Sequence, residues 1–189
     1  MQKTGRIMVT RYRRPLRLAN VRYDFVSRIL HWLTLALVGA QYALGWLMPD
    51  VKGTTPPMGL QVWHMSLGTS LLLVVVLRLV WALYREAPPP ASRSRVLNVL
   101  ALVVHAMLYF LLLVVPLLGW LNANGRDWRV RLAGVINLPQ IATQGSGGAA
   151  LGELHSAGSI VLLVFIGLHV AAAVVHQVGF RDKLLQRML

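Results

Sequence analysis

Residues 154–176 read LHSAGSIVLLVFIGLHVAAAVVH. The run carries no Asp, Glu, Lys or Arg, and it is longer than the about 20 apolar residues that take a helix across a bilayer core. Lipid offers the backbone no hydrogen bonds, so such a run must satisfy its own, as a helix. Yet it holds three of the chain's six histidines, His155, His169 and His176. An imidazole in hydrocarbon is costly unless it is paired or bound to something. The fourteen residues from His155 to His169 make nearly four turns, so both rings share one face, roughly 21 Å apart in depth at about 1.5 Å per residue. His176 lies seven residues further on, on the same face and close to the inner surface.

The rest of the chain has the same character. Of 189 residues, 56% are hydrophobic and 13% charged, and the mean hydropathy is +0.59. That charged share is about half of what soluble domains carry. Four runs are long enough to span: Ile29–Met48, Leu60–Tyr84 with Arg78 near one end, Val96 to Leu121 with Pro116 near its exit, and Leu154–Phe180. Pro116 is expected to kink the third helix. The fold class is therefore all-α, an integral membrane four-helix bundle. Residues 1–21 form a basic N-terminal arm and residues 22–189 the transmembrane domain, without repeats.

A net charge of +13 invites a nucleic-acid reading, which the distribution excludes. The basic residues flank the apolar runs, as orientation charges do. Eight Lys/Arg precede residue 29, four surround the loop YREAPPPASRSR when Arg78 is included, and three are in the tail. The opposite side has Lys52, Arg126, Arg129 and Arg131. Positive charge stays inside, so both termini are expected in the cytoplasm. The basic arm is long and the first run can span, so no cleaved signal peptide is expected. The absence of cysteine excludes disulfides, covalent c-type haem and iron–sulfur ligation. On the outer side, PDVKGTTPPMG is a short connection. Residues 122–153 are a longer one, and their WRVRLAGVINL part reads as an amphipathic helix on the membrane surface.

This topology converts position into depth. His64 and His155 are the two outer histidines, on different helices, and form a natural pair. His169 is inner, with His31 and His105 as its possible partners. Two imidazoles from facing helices, stacked twice through a bundle, suit two six-coordinate haems. A porphyrin needs small residues one turn from its ligand. His64 is followed by Gly68, His155 by Gly158 and Ser159, and His169 by Ala172 and Ala173. His31 is followed by Thr34 and Leu35, His105 by the bulkier Leu108 and Tyr109. That favours His31 without deciding the matter. Arg78 reads as a snorkelling side chain, with a haem propionate as the alternative contact. Trp32, Trp46 and Trp63 read as interface anchors.

Several motifs together resemble the bacterial cytochrome b561 family of four-helix dihaem proteins. They are SRILHW in the first helix, WHMSLGTSLLLVVVLRLVW in the second, VHAMLYFLLLVVPLLGW in the third, and LHSAG with GLHVAAAVVHQ in the fourth. The resemblance covers residues 22 to 189. It implies haem b at two sites, the outer held by His64 and His155 and the inner by His31 and His169. It places His105 and His176 near the inner haem, as propionate or quinone contacts. It also implies electron transfer between the periplasmic face and the ubiquinone pool in the bacterial inner membrane, and one branch of the family is similar to a superoxide oxidase. Arg126, Arg129 and Arg131 would then give a cationic outer entrance, since positive potential steers small anions. Binding of lipid headgroups is the plain alternative for them. Two other functions are compatible with the residues: a cytochrome subunit serving a separate periplasmic redox protein, and a non-haem transporter or metal-binding bundle.

Overall fold

The computed structural model describes residues 22–49, 55–85, 94–145, 147–180 and 184–189. The arm at 1–21 and the orientation charges Lys52, Arg93, Arg181 and Lys183 lie outside the described residues. Among the described residues there are four long helices: α1 (Phe25–Leu47), α2 (Leu60–Tyr84), α3 (Arg95–Gly125) and α4 (Gly148–Val178). All four are long and apolar enough to cross a membrane. α2 has the limits expected from sequence. The others start before the apolar runs, α4 by six residues.

Asp24 caps α1. Its carboxylate accepts from the Ser27 amide at 2.9 Å, the Ser27 hydroxyl at 2.6 Å and the Trp81 indole at 2.9 Å. Desolvation pushes this carboxyl up, but those hydrogen bonds outweigh it and bring it down to about 2. The same end of the bundle receives residues 184–189. The Tyr23 amide donates to the Arg187 carbonyl and the Trp32 indole to the Met188 carbonyl, each at 2.9 Å, and Arg28 donates to the Leu189 carbonyl.

α3 packs along α4 and α1 along α2, with α2 against α3 closing the bundle. Val38, Leu71, Val75, Leu111, Leu112, Val115 and Leu162 form the core at mid-height. Each of them falls, in its own helix, between an outer and an inner polar position. Long apolar side chains on the outside of all four helices are exposed, as lipid-facing surfaces require. Pro116 lies inside a continuous α3.

The segment after α3 is not a surface helix. Residues Arg131–Leu132 (β1) and Ile136–Asn137 (β2) form an antiparallel hairpin, with Arg131 opposite Asn137 and Leu132 opposite Ile136. Ala133 (φ 50°) and Gly134 (φ 76°) supply the two left-handed residues of a tight turn. The reason is visible in the burial. Trp128 and Val130 are buried while Arg129 and Arg131 are exposed, a period of two rather than 3.6. The Thr69 hydroxyl of α2 lies 3.1 Å from the Arg131 carbonyl, at about the distance of its own-helix acceptors Ser66 and Met65, so the hairpin sits in hydrogen-bond contact with the bundle. Trp128, Val130 and Ala123 form a second small core beneath it.

Candidate functional site

The end of the bundle that carries the hairpin is called outer below. There α2 presents His64 and α4 presents His155, with ring centres 6.0 Å apart and planes at 83°. Both rings line a cavity of about 290 Å³ together with Gly45, Gly68, Gly119, Leu71 and Leu162. The walls are close to the rings because they are glycine. A Cβ on Gly45 would sit 3.7 Å from His64 Cε1, and one on Gly119 would sit 3.0 Å from two atoms of His155. His155 Nδ1 lies 2.8 Å from the Val115 carbonyl, an acceptor only, so Nδ1 carries the proton and donates. That leaves the lone pair on Nε2, the form a metal ligand needs. Gln41 of α1 donates to the His64 carbonyl at 3.0 Å, and the Tyr42 hydroxyl donates to the Ser159 carbonyl at 2.6 Å. These two bonds fix α1 against the two helices that carry His64 and His155.

At the inner end α1, α3 and α4 bring three imidazoles together. The His31 and His169 ring centres are 6.4 Å apart, and those of His105 and His169 5.1 Å. Arg78 of α2 lies 3.1 Å from His31 Nδ1 and 5.3 Å from the centre of the Tyr109 ring. A guanidinium has no acceptor, so His31 Nδ1 is the acceptor in this bond and the ring proton sits on Nε2. His105 Nδ1 donates to the Ala101 carbonyl, one turn earlier in its own helix, at 2.6 Å. The His176 ring meets Phe180, 5.1 Å away.

Two imidazoles bound in line to one metal, at about 2.0–2.1 Å each, place their ring centres roughly 6 Å apart. The 6.0 Å and 6.4 Å pairs fit that requirement. Among the described residues, no group of three or more His, Cys, Asp or Glu is arranged to hold a metal ion.

The family model for prokaryotic cytochrome b561 matches residues 22–189. The chain belongs to this family. It is 27% identical over 176 residues to cytochrome b561 homolog 2 of Escherichia coli K12, covering 89% of this chain and 91% of that one. It is 28% identical over 177 residues to a probable superoxide oxidase CybB of Yersinia pestis, covering 89% and 96%. Similarity to cytochrome b561 homolog 1 of the same Escherichia coli strain is 26% over 179 residues. The protein is a multi-pass bacterial membrane cytochrome, and cytochrome b561 membership implies haem b.

The three outer arginines are brought to one place. Arg126, Arg129 and Arg131 line a surface depression of about 610 Å³ with Ser66 and Gln144. Arg126 donates to the Asn122 side chain and Arg131 to that of Asn137, both at 3.1 Å. Trp128 and Met65 line this depression and the His64/His155 cavity alike, so they form the wall between the two. Sequence reasoning did not single out Trp128, Gly119, Gln41 or Asn124. Asn124 is 1% exposed and organises the loop, donating to the Trp128 carbonyl at 3.2 Å and accepting from the Ile141 amide at 2.9 Å. The strict alternation from Trp128 to Leu132 was a signal for the buried side of the hairpin; a lone Asn at a helix end gave none.

Proposed function

We propose that this cytochrome b561 carries two haems b and moves electrons from a periplasmic donor, superoxide, to ubiquinone in the inner membrane, with both termini cytoplasmic. The observation that supports it best is the pair of two-histidine arrangements on facing helices, 6.0 Å and 6.4 Å between ring centres, one at each end of the bundle. In this reading His64 and His155 hold the outer haem iron and His31 and His169 the inner. When bound, each haem supplies a one-electron iron couple.

The remaining work belongs to the chain's own residues. Arg126, Arg129 and Arg131 concentrate an anionic donor at the outer face. Trp128 and Met65 keep that donor out of the ligand cavity. The mid-height core around Val75 and Leu112 excludes water between the two ends. At the inner end, in this reading, Arg78 and His105 meet a propionate or a quinone oxygen. In this reading His176, in the last turn of α4, hands a cytoplasmic proton to reduced quinone. The likeness to a probable superoxide oxidase supports the choice of donor.

A second reading, a cytochrome subunit docking a separate periplasmic redox protein, is favoured by the apolar tip of the hairpin. Val135 is 78% exposed and Ile136 59%. One experiment separates the two. The purified, oxidised protein is mixed with superoxide in a stopped flow, after a pyridine haemochrome assay has counted haem. About two haems b per chain, reduced much faster than superoxide dismutates, is the expected result. Haem reduced no faster than dismutation sinks the superoxide assignment and leaves the docking-partner reading. A folded, colourless protein sinks both.

A further inference from the structure

We propose that Gly119 is a positioning residue for His155. Its missing side chain lets the imidazole lie against α3, where Nδ1–H donates to the Val115 carbonyl and Nε2 is left for iron. The inference rests on the reading of His64 and His155 as haem ligands, and it concerns how one of them is made a better ligand than the other.

Three observations carry it. The His155 Nδ1 to Val115 oxygen distance is 2.8 Å, between two different helices. A Cβ on Gly119, one turn beyond Val115, would stand 3.0 Å from both Cε1 and Nδ1 of His155. It would press on the very ring edge that makes the hydrogen bond. Gly158 of α4 faces the same residue from the other side, where a Cβ would stand 3.0 Å from Val115 Cγ2. Two glycines on opposing helices therefore bracket one contact, and substituting either one pushes His155 and the Val115 carbonyl apart. Pro116 follows Val115 directly and, lacking an N–H, leaves the Leu112 carbonyl without its helical donor.

The outer pair is unequal as a result. Among the described residues His64 Nδ1 is buried with no hydrogen-bond partner, whereas His155 Nδ1 has one. An imidazole that donates its distal N–H to a carbonyl has a fixed tautomer and a more basic ligating nitrogen. His155 is therefore the stronger electron donor of the two, and it stabilises the oxidised iron. Glycine serving only close helix packing would predict a change in stability and nothing at the iron.

The test uses the full-length haem-loaded protein and four variants: Gly119→Ala, Gly158→Ala, His155→Ala and Gly39→Ala. A Cβ at Gly39 meets nothing within 4 Å, so that variant is the control. The readouts are potentiometric titration of each haem, low-temperature EPR of the oxidised protein, and haem retention against excess apomyoglobin. In Gly119→Ala the outer haem should titrate at higher potential and be lost about 10- to 100-fold more readily, the usual effect of losing such a supporting bond. The inner haem should be unchanged. Gly158→Ala should move the outer haem in the same direction, and Gly39→Ala should match the parent. Outer-haem potential, EPR and retention like the parent's in Gly119→Ala overturn the proposal. If that variant does not fold, a parent-like outer haem in Gly158→Ala overturns it instead. Retention of both haems in His155→Ala overturns the ligand reading itself, a different outcome from either.

Discussion

The two ends of the bundle solve one problem in different ways. At the outer end, two imidazoles face a cavity walled by glycine, and the hydrogen bond of His155 goes to a backbone carbonyl. At the inner end, three imidazoles and a guanidinium crowd together, and the polar partner of His31 is the charged Arg78. A carbonyl partner prepares Nε2 for a metal, whereas a guanidinium partner occupies the Nδ1 lone pair and leaves the proton on Nε2. A metal on His31 Nε2 requires Arg78 to release that bond. The outer site is thus set by backbone and by missing side chains, and the inner site by charge.

The widest break in that comparison comes from the proposed ligands themselves. His64→Ala should lower haem from about two to about one per chain and leave the inner spectrum intact; His31→Ala should do the reverse, while His105→Ala keeps both. Equal loss at both ends in a single variant would show the two sites to be one cooperative unit. Arg78→Leu comes next. Removing a cation beside the inner site should lower the inner haem's potential by on the order of 2 kcal/mol at an effective dielectric constant of about 20. A shift at the outer haem instead would contradict the division by charge.

Replacing Arg126, Arg129 and Arg131 together with alanine should slow reduction by superoxide about 10-fold at low salt and flatten its dependence on ionic strength. An unchanged salt dependence would remove these arginines from donor capture. The smallest effect is expected at the α1 cap. Asp24→Ala should cost about 1 kcal/mol, typical of an N-cap, and lower the melting temperature. The Asp24 carboxyl is depressed from 3.8 to about 2, so its contribution is complete above 3.8 and is lost as pH falls through about 2. The parent's advantage over Asp24→Ala should therefore vanish in acid and hold at neutral pH.

Much of this was legible in the residues. Lipid leaves a spanning backbone only its own hydrogen bonds, so four apolar runs meant four helices, and the fourteen-residue gap in α4 put two imidazoles on one face at two depths. Depth alone also paired His64 with His155. Depth could not choose between His31 and His105, which the fold brings to His169 at 6.4 Å and 5.1 Å between ring centres. Nor could the residues 128–137 be read from their amphipathic look: the buried partner of Trp128 and Val130 is the top of the bundle, and a strand pair with a left-handed turn reaches it where a surface helix does not. Gly119 showed least of all. A glycine in a membrane helix reads as ordinary packing until the ring it makes room for is known, and that ring comes from another helix. Periodicity and solvent therefore determined the elements from sequence alone. The contacts across helices, which depend on rotation and separation that no single segment encodes, were decided by the tertiary structure.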